Sequence, residues 1–337
     1  MAGSRQTCAK ALLAALAAIL LAGCDTLAYY AQALGGQMSL MSRARPVGEL
    51  MADPATPPEL RERLALTRSI RDFATQALKL PDNGSYRSFA QVDRSYAVWN
   101  VVAAPEFSLE PLQSCFPVAG CVTYRGFFAL EDAAQHGAQL LSQGYDVYVY
   151  GVPAYSTLGR FDDPLLSTFI GYRETELARL IFHELAHQVL YVRDDTTFNE
   201  SFAVTVEREG VRRWLAASGR AEQLAEFFES QRRRAEFFAL LSRTRERLDA
   251  LYRLPIAPEA MRERKRAEFN TLRLQLPRTG PQGQASRQEP NNATLASYAT
   301  YTALVPAFER LLQQEGGDLE RFYDRVRALA RAGARPS

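Results

Sequence analysis

Two histidines four residues apart, with a glutamate directly after the first, set the tightest constraint on this chain: His183-Glu184-Leu185-Ala186-His187. A helix puts residues i and i+4 on one face, about one turn apart, so both imidazoles can reach one metal ion. Glu184 can then bond a water at that ion without being a ligand itself. Leu180, Ile181, Leu185 and Val189 offer flanking apolar faces that bury such a helix. The chain has only three histidines, so the pattern does not come from a histidine-rich background. The residues predict a metal-binding helix, with one zinc ion held by His183 and His187.

A catalytic zinc takes three protein ligands and keeps one open position, yet no histidine follows His187. Twelve residues on, Asn199-Glu200-Ser201-Phe202-Ala203 opens the next helical stretch. Here the sequence resembles the gluzincin peptidases, in which the Glu of an Asn-Glu-x-x-Ala type segment completes the zinc site. The resemblance implies His183, His187 and Glu200 as ligands and Glu184 as general base. The spacer is short, so Arg193 to Thr197 must reverse the chain, with Asp194-Asp195-Thr196-Thr197 as turn and N-cap. Glu207, two turns beyond Glu200 on the same face, competes for the ligand role. Alternatively it holds a ligating imidazole by its second nitrogen, the reading favoured here, or makes a plain salt bridge.

The first residues read as an export signal. Arg5 and Lys10 give a positive start, and Ala11 to Leu21 form an apolar run too short to span a bilayer comfortably. The run closes on Leu21-Ala22-Gly23-Cys24, which resembles the lipobox of bacterial lipoproteins. That resemblance implies a signal peptide over 1–23, lipid on Cys24, and a chain held to a membrane and facing the periplasm. Asp25 resembles the inner-membrane retention signal of enteric bacteria. With Cys8 removed and Cys24 lipidated, Cys115 and Cys121 remain, six residues apart around Pro117 and Gly120. In an oxidising periplasm they are expected to form a disulfide; the rival, half of a metal site, lacks a second cysteine pair.

A tether over 24–55 leads into a domain over 56–337, strand-rich over 90–152 and helical over 172–335. A helix is expected from Pro57 to Leu78, strands around 96–102, 122–128 and 145–150, and a helix over 131–143. Further helices are expected over 198–217, 221–251, 258–276, 291–312 and 318–332. Strands before the metal-site helix and helices after it make an α+β fold, a small mixed sheet followed by a mostly helical part. Lys+Arg of 40 against Asp+Glu of 38 gives no basic field to recruit nucleic acid. The runs Arg232-Arg233-Arg234 and Arg262 to Lys265 read as solvated helix faces.

The whole chain is similar to a family of bacterial lipoproteins described as putative aminopeptidases. Beyond the lipobox, the His-Glu-x-x-His helix and Asn199 to Ala203, the similarity covers Tyr155-Ser156-Thr157-Leu158-Gly159, Asn291-Asn292-Ala293 and Val305-Pro306-Ala307-Phe308. It implies a zincin-like fold and hydrolysis of peptides from a lipid anchor, with an envelope-processing endopeptidase or a non-catalytic metal-binding lipoprotein as alternatives. A tyrosine near Asn291, Tyr301 first and Tyr298 second, is the expected oxyanion donor. Gluzincin aminopeptidases grip the substrate amine with a Gly-x-Met-Glu-Asn segment that this chain lacks. Asp162, Asp163 or Glu174 are the acids that could serve instead, the alternative being plain loop or helix-start acids.

Overall fold

The computed structural model describes residues 29, 31–116, 120–154, 156–276, 288–300 and 303–336. The expected signal segment 1–23, Cys24, Asp25 and Tyr301 lie outside them. A helix over residues 31–42, α1, leads to strand β1 (Arg45–Pro46) and helix α2 (Val47–Ala52). Leu40, Val47 and Leu50 are buried in the main core, so from residue 31 the segment expected as a tether packs with the domain.

Helix α3 (Pro58–Gln76) begins at a Pro-Pro pair, with Pro58 in the first turn and Glu59 at its positive end. Its Arg71 is fully buried. The guanidinium donates to the carbonyls of Pro81, Asn83 and Ser85, so one side chain satisfies a turn that has no ladder to use. Asn83 and Ser85 in turn bond Gln188 at 2.7 and 3.2 Å, next to His187.

The strands β2 (Ser88–Ala90), β3 (Val98–Ala104), β4 (Ser114–Phe116), β5 (Gly120–Val122), β6 (Arg125–Phe127), β7 (Asp146–Val152) and β8 (Leu165–Leu166) form three small sheets, with helix α4 (Leu130–Ser142) between β6 and β7. Their orders are β1-β2-β8, β6-β3-β7 and β4-β5. In the first, β2 is antiparallel to β1 and parallel to β8; the second is antiparallel throughout. Alternation along β3 serves both faces. Val101 and Ala103 pack with Phe127, Val147 and Ala133 of α4. Val102 and Ala104 pack on the other face with Ala293, Tyr148 and Tyr150. Cys115 faces Cys121 across β4 and β5, and the two are joined in a disulfide.

After β8 the described chain is helical: α5 (Glu174–Val189), α6 (Thr196–Ala217), α7 (Ala221–Tyr252), α8 (Pro258–Gln275), α9 (Asn292–Thr300), α10 (Val305–Gln314) and α11 (Leu319–Arg331). The stretch expected as one helix over 291–312 is two. Pro306 has no N–H to give a preceding turn and sits in the first turn of α10, where none is needed. Helices α7 and α8 share a satellite core through Leu241, Leu248, Met261 and Leu272. Small sheets followed by packed helices make the fold α+β. Among the described residues no helix is long and apolar enough to cross a membrane.

A candidate metal centre and its cavity

Helix α5 is held by its back. Leu177, Ala178, Ile181, Phe182, Leu185 and Ala186 are all fully buried, which turns His183, Glu184 and His187 toward a cavity on the other side. Glu174 and Glu176 occupy its first turn, where the helix dipole favours acids. Glu174 is also held by Trp214 Nε1 at 2.8 Å and by Arg220.

The reversal after α5 is tight. Asp194 takes a left-handed φ of 65°, a conformation Asp tolerates better than most residues. Asp195 is the N-cap of α6, accepting from Phe198 N–H at 3.0 Å. Asn199 clamps the turn, its side chain bonding both the N–H and the carbonyl of Val192 at 2.7 Å. Sequence reasoning placed the turn and cap at Asp194 to Thr197 but missed the Asn199 clamp. The reversal sets α6 against α5, and Gly210 permits the closeness: a Cβ there would come within 2.7 Å of the Phe182 ring.

Three ligand groups converge across this helix pair. His183 Nε2 and His187 Nε2 are 3.2 Å apart. Glu200 places its carboxylate oxygens 3.3 Å from His183 Nε2 and 3.8 Å from His187 Nε2. Zinc bonds of about 2.0–2.1 Å in a tetrahedral shell space neighbouring donors about 3.3 Å apart. Two imidazoles and one carboxylate therefore have both the spacing and the donor chemistry to hold a metal ion, and zinc is compatible with the set.

The groups behind the cluster form a chain. Glu207 Oε2 lies 2.8 Å from His183 Nδ1 and accepts from Arg179 at 3.1 Å, while Arg179 donates to Glu176 at 2.8 Å. A carboxylate at Nδ1 favours a proton on that nitrogen, so Nε2 is the His183 atom that would meet an ion. Burial works against the Glu207 carboxylate, but Arg179 and His183 hold it down at about 2. Burial also opposes charge on Glu200, which His187 and His183 nevertheless keep below the usual carboxylate range. Burial lifts Glu184 to about 7.

The cavity at this cluster has a volume of about 990 Å³. Glu184 lines it without belonging to the three-ligand group. Tyr124, Tyr148, Tyr150, Tyr191 and Tyr298 also line it. Burial pushes the Tyr124 phenol well above its ordinary pKa, with Glu200 adding to the effect, so it stays a hydrogen-bond donor.

A family model described as "Putative aminopeptidase" matches residues 28–336, most of the chain. The chain belongs to that family. No curated protein and no solved structure matches it. For an aminopeptidase-family chain, the acids expected to grip a substrate amine are placed elsewhere. Asp163 is buried, its carboxylate taken by Thr157 and Gln37. Asp162 is exposed, Glu174 is held as described, and none of the three lines the cavity. Glu176 does line it.

Tyr298 lies in the cavity wall and packs edge-on against Phe237 and Phe238. Strand β7 pairs with β3 alone and so is an edge among the described strands. Its outward groups are partly taken: Asn291 donates to the Val147 carbonyl, and the Gln288 amide bonds both Val149 N–H and C=O. The next outward position is Gly151, which lines the cavity. Sequence reasoning also missed Arg179, although Glu176, Arg179 and His183 follow helical spacings of three and four. Tyr124, in the turn between β5 and β6, carries no local signal.

Proposed function

We propose that this protein is a zinc-dependent peptidase of a zincin-like, gluzincin type, acting as an aminopeptidase from a lipid anchor on Cys24 in the periplasm of a bacterial envelope, with inner-membrane retention suggested by Asp25. The observation that carries the reading is the convergence of His183, His187 and Glu200 in a cavity that Glu184 also lines. The family to which the chain belongs supports peptide substrates.

His183, His187 and Glu200 would hold the ion, which when bound supplies a Lewis acid that polarises a peptide carbonyl and acidifies water. Glu184 takes a proton from water and passes it to the leaving amine. Glu207 orients His183 through Nδ1, and Arg179 keeps Glu207 charged. A tyrosine hydroxyl donates to the developing oxyanion. Tyr301 holds that role by sequence position, with Tyr124 and Tyr191 as described residues of the cavity wall able to fill it.

The test is cleavage of a peptide panel by the purified full chain and its Glu184→Gln variant. Unblocked peptides should be hydrolysed, and the variant should lose about 10²–10⁴-fold in rate while keeping its metal. A metal-loaded variant with full activity removes Glu184 as base. Equal cleavage of N-acetylated peptides replaces the aminopeptidase with an endopeptidase.

A further inference from the structure

The run Arg232-Arg233-Arg234 is not uniformly a solvated face. Arg232 and Arg233 are exposed and paired with Glu229 at 2.7 and 3.2 Å. Arg234, on the same helix α7, is partly buried and lines the cavity of the candidate metal centre.

Five arginines are among the described lining residues. Arg173 pairs with Glu226 and Arg208 with Glu309, both outside the cavity wall. Arg179 is committed to Glu176 and Glu207. Arg160 is exposed. Arg234 alone among them is partly buried with no ion pair or hydrogen bond from any described residue; its guanidinium lies 5.9 Å from the Phe238 ring centroid, one helical turn on. Burial and the nearby Arg179 work against its charge, while Glu207 and Glu176 support it from beyond ion-pair distance; both carboxylates are already paired with Arg179.

A guanidinium cannot shed its proton to escape burial. Without a carboxylate in direct contact it keeps a desolvation cost that a ligand carboxylate offsets through two parallel N–H···O bonds. We propose that Arg234 binds a carboxylate of the peptide substrate, so that the site takes short peptides with a free C-terminus or an acidic side chain. A cavity of about 990 Å³ is at the large end of ligand pockets and suits a peptide of a few residues. The proposal rests on the peptidase reading above and adds what the peptide must carry.

The test reads binding as well as turnover. Leu-Ala-Ala, its C-terminal amide, and the amide of Leu-Glu-Ala are titrated calorimetrically into the zinc-loaded Glu184→Gln chain, alone and combined with Arg234→Met or Arg234→Lys. Leu-Ala-Ala should bind about tenfold or more tightly than its amide. Arg234→Met should bring that ratio to about one, and Arg234→Lys should keep part of it. Because the readout is a ratio between ligands, a modest loss of folded protein in a variant does not imitate the effect. Tight binding of the Leu-Glu-Ala amide assigns the carboxylate to a side chain; tight binding of the free acid alone assigns it to the C-terminus. Equal binding of Leu-Ala-Ala, its amide and the Leu-Glu-Ala amide, a preference for the carboxylate-bearing peptide that survives Arg234→Met, or no binding of any peptide overturns the proposal. Parallel cleavage by the chain with Glu184 intact separates the two claims. Discrimination without cleavage sinks the peptidase and leaves the carboxylate site, and cleavage without discrimination does the reverse.

Discussion

Glu207 shows how much of this site is made by residues that would never touch a metal. It is almost fully buried, and such a carboxylate is tolerable only when paired and hydrogen-bonded. Arg179 and His183 meet both conditions. Glu207→Gln keeps the shape but can present its amide N–H₂ to His183 Nδ1 and leaves Arg179 short of an anion. Zinc affinity, measured by competition with a chromophoric chelator, should fall about 10–100-fold. Unchanged affinity would reduce Glu207 to a structural ion pair. The His183–His187 spacing was legible because helical period alone fixes it. Arg234 was not, since its difference from Arg232 and Arg233 depends on which face of α7 meets a cavity built by distant parts of the chain.

At the level of elements, the packing of α5 on α6 decides whether His183, His187 and Glu200 converge. Gly210 of α6 lies against α5, and a Cβ there would meet Phe182 at 2.7 Å and Leu78 at 2.8 Å. At an open helical site Gly→Ala stabilises by up to about 1 kcal/mol. Here overpacking should reverse the sign, and Gly210→Ala should lose about 1–3 kcal/mol in urea unfolding. A gain would mean that the two helices have slack between them. Long helices with clear periods, such as α3, α6 and α7, were readable from the sequence to within two residues at each end. The strands β1, β2 and β8 were not, because two or three residues carry no measurable alternation. The break between α9 and α10 was missed although Pro306 marks it, because apolar residues on both sides kept a continuous helical spacing.

Taken as a whole, the molecule encloses its site with parts from both ends of the chain. Ala33, Leu34 and Gln37 of α1 and Ser297 and Tyr298 of α9 share the cavity wall with α5 and α6. The expected boundary between tether and domain near residue 55 could not anticipate this, since composition does not reveal that Leu40, Val47 and Leu50 enter the main core. The family match, which begins at residue 28, takes in α1. The central claim concerns one ion, and metal content tests it most directly. The full chain is purified, loaded with zinc, desalted and assayed by mass spectrometry beside His187→Ala and Glu200→Ala, with circular dichroism to establish that each is folded. About one zinc per chain is expected, falling to a small fraction in both folded variants. A wild-type chain without stoichiometric metal, or folded variants that retain it, would contradict a metal centre at His183, His187 and Glu200.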